Sequence, residues 1–193
     1  MLFLFDMGEV VIKNVRTLDK IAARYGLDYK ELRGDYGLYD RALMEGFMEP
    51  EDYYRHMEIR YGIDIREDLF RTAFTPVLNE FMIGIADKLR ASGHRTAVAS
   101  NTFRPHWDYI LSMEDSPASH FDALYASHLI QRAKPECYFF EYIMQEEGFS
   151  AGETAFIDDR IDNIEAAESL GITVYNYLGD DDDAAAFFCR YIS

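Results

Sequence analysis

The sequence predicts an α/β fold: a doubly wound parallel sheet that carries a small all-helical cap. Two patterns support this prediction. Short β-rich runs alternate with helical patterns along most of the chain, and one stretch of about sixty residues shows only helical periodicity. Strands that alternate with helices indicate a parallel sheet covered by helices on both faces. A chain of 193 residues suits one core domain with a modest insertion.

The β-rich runs predict five strands, at residues 2–5, 95–99, 155–157 and 172–175, with a weaker run at 122–125. Helical patterns over residues 77–91, 135–147 and 161–170 lie between the later runs. The acidic residues 180–183 are interpreted as a solvated turn that opens the last helix. We therefore expect a core domain of residues 1–13 and 77–193, with residues 14–76 inserted as the helical cap.

The charge of the chain excludes two classes of partner. It has 35 acidic and 19 basic side chains and a formal charge of −16, and such a field repels nucleic acid and anionic membranes. The same field repels a phosphorylated substrate, so activity on one requires a local cation. The two cysteines, Cys137 and Cys189, have no spacing that suggests a disulfide framework or a zinc site.

The start of the chain affects the expected location. The apolar run before Asp6 is too short for a signal peptide, and no stretch reaches about 18 apolar residues. We therefore expect a cytoplasmic protein, either a monomer or a homodimer.

Polar residues follow the predicted strands at the points where those strands end. Asp6 follows the first run, Ser100 and Asn101 follow the second, and Asp158 and Asp159 follow the third. Because ligands of open parallel sheets bind beyond the carboxyl ends of the strands, we expect these side chains to converge on one edge.

The chemistry of this set suits phosphoryl transfer. A carboxylate such as Asp6 can attack phosphorus and form an acyl phosphate, which splits one hard displacement into two easier ones. Two carboxylates about 4 Å apart repel by roughly 4 kcal/mol at an effective dielectric of 20, so a cluster of them requires a cation. Oxygen ligands of this kind select Mg²⁺. Lys134, which precedes Pro135, would offset further negative charge.

These motifs resemble the haloacid dehalogenase superfamily. The resemblance rests on four motifs in order: FDMGEVV, SNT, Lys134-Pro135 and FIDDRIDNIEAAESLGI. The helical insertion after the first motif resembles the cap of subfamily I. Within that branch the motifs look most like those of bacterial glucose-1-phosphate phosphatases and of the N-terminal phosphatase domain of soluble epoxide hydrolases.

The resemblance implies a role for each motif residue. It implies that Asp6 is the nucleophile and that Mg²⁺ is held by the Asp6 carboxylate, the Gly8 carbonyl and Asp159. The implied phosphate ligands are Ser100, Asn101 and Lys134, of which Ser100 and Lys134 also assist catalysis. Asp158 and Asn163 are implied to support the site, although Asn163 has an equally plausible role in capping the following helix.

One position departs from the usual phosphatase motif. The general acid and base of that motif lies two residues after the nucleophile, where this chain has Gly8. Loss of such a group costs about 10² to 10⁴ in rate. The glucose-1-phosphate phosphatases share this glycine, so the resemblance implies that phosphatase activity survives. Three explanations accommodate the missing general acid: the reaction is slow, the substrate has a good leaving group, or another residue supplies the proton. Glu9 is adjacent to Gly8 and is a candidate for that residue.

The expected reaction is Mg²⁺-dependent hydrolysis of a small phosphate ester, and the resemblance favours a sugar phosphate such as glucose 1-phosphate. Two alternatives stay open: a phosphosugar-binding or regulatory protein with negligible turnover, and a 2-haloacid dehalogenase. His106 and Trp107, which follow the SNT motif, are candidates for contact with the substrate or the cap. Arg41 and Glu45, four residues apart in the insertion, are further candidates.

Overall fold

The computed structural model describes residues 1–192 and contains the predicted parallel sheet. The strands of this sheet are β1 (Leu2–Phe5), β4 (Arg95–Ser100), β5 (Ala123–Ala126), β6 (Thr154–Asp158) and β7 (Thr173–Asn176). They pair side by side in the order β5-β4-β1-β6-β7, and every pairing is parallel. The prediction of an α/β fold with five strands is confirmed.

The helices of the described residues lie between and after these strands along the chain. Their bounds are α1 (Leu18–Tyr25), α2 (Tyr29–Tyr36), α3 (Asp40–Met44), α4 (Pro50–Tyr61), α5 (Leu69–Ala73), α6 (Glu80–Ala91), α7 (Arg104–Ser112), α8 (Ser127–Ile130), α9 (Cys137–Glu147), α10 (Ile161–Ser169) and α11 (Asp181–Phe188). None of them combines the length and the hydrophobicity that a membrane crossing requires. The last helix, α11, begins directly after Asp180. The Asp180 side chain accepts hydrogen bonds from the backbone N–H groups of Asp182 and Asp183, in agreement with the predicted acidic turn that opens this helix.

The sheet is buried on both faces, which the strand β1 illustrates. All four of its side chains are fully buried, and they alternate between two hydrophobic clusters. Phe3 and Phe5 pack with residues of α6, α7 and α11, whereas Leu2 and Leu4 pack with residues of α9 and α10. Because side chains of a strand alternate in direction, these clusters lie on opposite faces of the sheet, and the sheet is doubly wound.

A third hydrophobic cluster lies among the helices α1 to α5. Side chains of α1 to α5 pack around the fully buried Tyr53, and the core residue Phe103 joins them. Tyr53 also donates to Asp35 at 3.2 Å, so a buried carboxylate inside this cluster has a partner. The aromatic residues of this stretch thus serve packing, as their helical spacing indicates.

One predicted element is wrong at its start. The helical pattern from residue 77 predicts a helix, but Val77 and Leu78 form a strand, β3, and the helix begins at Glu80. This strand pairs antiparallel with β2 (Ile12–Lys13), a pairing between distant residues that local periodicity does not detect. The side chain of Asn79 donates to the carbonyl of Val10 at 2.7 Å and holds the connection in place.

Candidate active site

The predicted site residues stand at the carboxyl edge of three neighbouring strands. Asp6 directly follows β1, Ser100 ends β4, and Asp158 ends β6. Since β4, β1 and β6 are neighbours in the sheet, these three positions lie next to one another. The backbone N–H of Asp6 donates to the carbonyl of Ile157 at 2.8 Å, which ties Asp6 to the strand β6.

Lys134 joins two of the carboxylates from a loop that precedes α9. Its Nζ donates to Asp6 Oδ1 at 2.7 Å and to Asp158 Oδ2 at 2.6 Å. All three side chains are buried, and that of Asp158 is inaccessible to solvent. A buried lysine between two carboxylates is a strongly electrostatic arrangement, because little water remains to screen the charges.

Asp158 receives more hydrogen bonds than any other carboxylate of the site. Besides Lys134, its oxygens accept from the backbone N–H of Arg160 at 2.8 Å and from Asn163 Nδ2 at 3.0 and 3.1 Å. Asn163 lies in the first turn of α10, where Arg160 occupies the N-cap position without a capping side chain. The Asn163 side chain therefore serves the acidic loop and does not act as the N-cap.

Three carboxylates form a group that suits a divalent cation. Asp6, Asp158 and Asp159 each offer an oxygen, and these oxygens lie within 4.8 Å of one another. Lys134 neutralises only one of the three charges, so two negative charges remain uncompensated in a largely buried place. A donor set made only of oxygens fits Mg²⁺ in preference to softer metals.

Burial and charge shift the ionisation of these groups. Burial, with help from Asp158 and Asp159 and against the effect of Lys134, raises the pKa of Asp6 to about 7. Burial on its own would lower the pKa of Lys134, but Asp158 and Asp6 outweigh it and raise that pKa. Burial and the neighbouring Asp158 also raise the pKa of Asp159. All three shifts reflect a site with too much negative charge for its own cation.

The two residues of the second motif are placed differently. Ser100 is buried and lines a cavity together with Gly8. Asn101 uses both ends of its amide on the backbone of Lys134: Nδ2 donates to the carbonyl and Oδ1 accepts from the N–H, each at 2.8 Å. Asn101 thus positions the Lys134 loop, and direct contact between its side chain and phosphate stays a prediction.

Space for a side chain exists where the general acid is missing. A Cβ at Gly8 would lie 3.6 Å from Val15 and 3.8 Å from Asp6 Oδ2, which are ordinary contact distances. Glu9 has a left-handed backbone, with φ of 57°, and its carboxylate accepts from the N–H of Val15 at 3.4 Å. Glu9 lines the same cavity as Asp6 and Lys134, which we name the acidic cavity; its volume is about 470 Å³.

Some residues near the site were not predicted. Asn176 ends β7, and its side chain donates to the backbone carbonyl of Asp158 at 3.0 Å. Its place at a strand end is the same signal that identified the other residues. Arg16 lines the acidic cavity from the start of the insertion, and no sequence pattern marks it.

Two ion pairs join residues 14–76 to the rest of the chain. Arg41, which also lines the acidic cavity, donates to Glu45 at 2.6 Å and to Glu136 at 3.1 Å. Arg104 of α7 donates to both carboxylate oxygens of Glu51, at 2.6 and 2.8 Å. The expected pair of Arg41 and Glu45 therefore forms, and Glu136 extends it to the core.

The sheet is doubly wound, and a carboxylate, a lysine and a group of acidic residues suited to a cation lie at its carboxyl edge. This combination is typical of one class of α/β hydrolases. Residues 1–171 match the haloacid dehalogenase-like hydrolase family, and the chain belongs to that family. The resemblance at the level of the superfamily is thereby confirmed. The closer resemblance to glucose-1-phosphate phosphatases stays a prediction.

Individual proteins resemble the chain more distantly. The sesquiterpene phosphatase astK of Aspergillus oryzae is 26% identical over 130 residues, which are 66% of this chain and 66% of that protein. The matched region thus spans slightly less than two thirds of that relative. A HAD-like family hydrolase from Porphyromonas gingivalis superposes with a TM-score of 0.81 at 24% identity and covers 98% of this chain and 97% of that one.

A second solved structure contains ligands. The HAD family enzyme bt-2542 of Bacteroides thetaiotaomicron, in complex with magnesium and inorganic phosphate, has a TM-score of 0.75 at 22% identity and covers 93% of this chain and 95% of that one. At such identities the likeness establishes the shared fold.

Proposed function

We propose that the protein is a Mg²⁺-dependent phosphomonoesterase that uses Asp6 as its nucleophile. The observation that carries this proposal is the buried group at the carboxyl edge of the sheet, where Lys134 bridges Asp6 and Asp158. Family membership as a hydrolase supports it, and a relative named as a phosphatase and a related structure with magnesium and phosphate agree with it.

The first step is attack by Asp6 on phosphorus. Lys134 holds Oδ1, so we assign the attack to Oδ2, which lies 3.8 Å from the Cβ position of Gly8. The new bond joins this oxygen to phosphorus, the bond from phosphorus to the ester oxygen breaks, and the alcohol leaves. Lys134 and the neighbouring Ser100 offset the negative charge of the transferring group.

The second step releases phosphate from the aspartyl-phosphate. Water attacks phosphorus, the bond to Asp6 breaks, and the carboxylate is regenerated. Because Gly8 supplies no general acid, the proton for the leaving alcohol comes from solvent or from another residue, and good leaving groups should react faster.

The acidic group supplies the cation site of this mechanism. We assign Asp6, the Gly8 carbonyl and Asp159 to Mg²⁺, which when bound compensates negative charge and orients the phosphate. Asp158 and Asn163 support the site indirectly. Asp158 holds Lys134 in place, and Asn163 holds Asp158 in place. We assign Ser100, Asn101 and Lys134 to phosphate.

Residues 14–76 are proposed as a cap over the site. Two of their contacts to the core, from Arg41 to Glu136 and from Glu51 to Arg104, are exposed ion pairs. Such pairs contribute only about 0.2–1 kcal/mol each and oppose opening weakly, whereas the packing of Phe103 against the cluster of α1 to α5 favours the closed arrangement. A closed cap would exclude water during the first step and admit it for the second.

Two substrate classes are proposed. The family resemblance favours a sugar phosphate such as glucose 1-phosphate. A phosphate ester with an apolar alcohol is the second candidate, because buried apolar side chains line the cavity beside Ser100 and because a relative is named as a sesquiterpene phosphatase.

The test is phosphate release from a panel of esters, with and without Mg²⁺. The panel holds p-nitrophenyl phosphate, glucose 1-phosphate, glucose 6-phosphate and farnesyl phosphate. We expect Mg²⁺-dependent release that Asp6→Asn abolishes, whereas the matched surface variant Asp64→Asn retains it, since Asp64 is exposed and, within residues 1–192, forms an ion pair with Arg66 alone.

The alternatives predict different results. Binding of a sugar phosphate without release from any ester would favour the binding or regulatory protein. Chloride release from 2-chloropropionate without Mg²⁺ would favour the dehalogenase, because displacement of halide from carbon requires no metal.

A further inference from the structure

A second cavity lies beside the acidic cavity and opens into the same part of the site. It has a volume of about 390 Å³, and we name it the side cavity. Five residues border both cavities: Gly8, Val15, Arg16, Met44 and Asn101. Ser100 also lines the side cavity, so an ester whose phosphate sits at Asp6 can extend its alcohol part into this space. The volume falls within the range of small-molecule sites, about 300 to 1,000 Å³.

The buried wall of the side cavity is mainly apolar and consists of Met7, Ile12, Phe74, Phe103 and Ile110, together with the polar residues Thr17, Ser100 and Thr102. Exposed residues such as Asp19, Tyr29 and Arg33 also line the cavity. A group that reaches the buried part gains from hydrophobic contact and from aromatic packing, whereas each unpaired hydroxyl there loses its hydration.

His106 lines the side cavity and packs among aromatic rings. Its ring stacks on Phe74 with 4.1 Å between centroids and lies 4.4 Å from the ring of Phe103. Burial lowers the pKa of His106 to about 3, and a hydrogen bond to the backbone of Phe70 opposes this shift only in part. The imidazole is therefore neutral at physiological pH.

The Nε2 atom of His106 has no partner. It is buried and forms no hydrogen bond with any residue of 1–192. The bond to the Phe70 backbone favours the protonated ring, so the imidazole donates it, and Nδ1 is the atom left to do so. Nε2 is then a bare acceptor. Buried acceptors are rarely left unpaired, and Tyr61 and His128, which hold the other unpaired buried atoms of the described residues, do not line this cavity.

We propose that the side cavity binds the alcohol part of the phosphate ester, and that His106 Nε2 accepts a hydrogen bond from a hydroxyl group of that alcohol. The proposal rests on the phosphomonoesterase function proposed above. It specifies the substrate class: a largely apolar, ring-containing alcohol phosphate with one hydroxyl group remote from the ester. His106 then acts as a specificity-determining residue that contacts the substrate away from the reacting atoms.

The hydroxyl should matter for selection among esters. An ester that lacks the hydroxyl group would cover Nε2 and leave this acceptor buried without a hydrogen bond. Its kcat/KM should therefore be about 10- to 100-fold lower than that of the hydroxylated ester. Because the hydrogen bond is present in the bound substrate as well as in the transition state, the loss should appear mainly in KM.

The test compares aromatic esters that differ only in the hydroxyl. The probes are phenethyl phosphate and its ortho, meta and para hydroxy derivatives, with p-nitrophenyl phosphate as the general substrate. We expect the wild-type protein to prefer at least one hydroxy derivative over phenethyl phosphate by 10-fold or more in kcat/KM. His106→Phe keeps the stacking on Phe74 and should reduce that preference to about one, whereas His106→Gln keeps an acceptor and should retain part of it.

The control variant is His120→Phe, since His120 pairs with Asp87 and lines neither cavity. It should keep the wild-type preference. Equal kcat/KM values for all four probes in the wild-type protein, or a preference that survives in His106→Phe, would overturn the proposal. Hydrolysis of p-nitrophenyl phosphate with none of the phenethyl esters would also overturn it and leave the phosphatase function intact. Release from no ester of any kind would reject the phosphatase function itself, and this inference with it.

Discussion

Lys134 and Asp6 form a buried ion pair in which 2.7 Å separates Nζ from Oδ1. We expect Lys134→Met to lower kcat/KM by at least about 10²-fold and to lower the free energy of unfolding by about 3 kcal/mol at pH 7. Removal of one partner leaves the carboxylates of Asp6 and Asp158 buried without compensation, which is more costly than loss of an exposed pair. Phosphate release and urea unfolding measure the two effects.

Lys88→Met is the matched control, because Lys88 is exposed on α6 and forms no ion pair within residues 1–192. It should change neither quantity appreciably. A Lys134→Met protein with activity within tenfold of the wild type would contradict the assignment of Lys134 to the phosphoryl site.

Gly8 stands where a general acid and base would stand, and a Cβ there meets only ordinary contacts with Val15 and Asp6. We expect Gly8→Asp to raise kcat for alkyl phosphates by about 10-fold or more, because poor leaving groups depend on a proton donor. The gain should be small for p-nitrophenyl phosphate, whose leaving group needs no proton.

Gly8→Asn is the control, since its side chain has nearly the same size as aspartate and cannot serve as a general acid. An equal change of kcat in both variants would mean that the shape of the side chain, and not proton transfer, causes the effect. No gain with any alkyl ester would mean that another residue already supplies the proton.

The sequence predicted the central strands of the sheet well because they are buried on both faces. A run such as LFLF at β1 is apolar throughout, and the polar residue after it, Asp6, marks the strand end. The site residues were found by the same logic, since the parallel arrangement brings successive strand ends to one edge.

Features that depend on distant pairing were not predictable from local patterns. Val77 and Leu78 belong to a helical pattern by sequence, yet their pairing with Lys13 and Ile12 makes them a strand. Similarly, no local pattern indicates that the amide of Asn101, which the resemblance assigns to phosphate, hydrogen-bonds the backbone of Lys134, 33 positions along the chain. Both features arise from tertiary contacts, which local preference does not contain.

Gly46 lies where the insertion meets the core. Its φ is +72°, and a Cβ there would lie 2.5 Å from the carbonyl oxygen of His128, which belongs to α8. We expect Gly46→Ala to lower the free energy of unfolding by more than 2 kcal/mol and to raise KM. The alanine would adopt an unfavourable left-handed backbone conformation, and its Cβ would also clash with His128 and push the two segments apart.

Gly62→Ala isolates the backbone penalty. Gly62 has a φ of +65° and nothing within 4 Å of its Cβ position, so this variant should lose only about 1–2 kcal/mol and keep its KM. Urea unfolding and steady-state kinetics on both variants provide the comparison. Equal losses of stability with an unchanged KM would indicate that the contact between Gly46 and His128 does not influence the site.

His106 should make stability depend on pH. Its pKa is about 3 in the folded protein and about 6.5 in an unfolded chain, so below pH 6.5 the unfolded state binds a proton that the folded state refuses. The stabilisation is therefore complete above pH 6.5 and is lost as the pH falls toward 3, at up to about 1.4 kcal/mol per pH unit. Between pH 7 and pH 5 the loss amounts to about 2 kcal/mol.

His106→Phe removes this titration while other groups keep theirs. The difference in unfolding free energy between wild type and variant should therefore shift by about 2 kcal/mol in favour of the variant when urea unfolding is repeated at pH 5 instead of pH 7. His120→Phe, at an imidazole paired with Asp87 near the surface, controls for the loss of a histidine as such. A difference that stays constant between the two pH values would mean that His106 is hydrated enough to ionise in the folded protein.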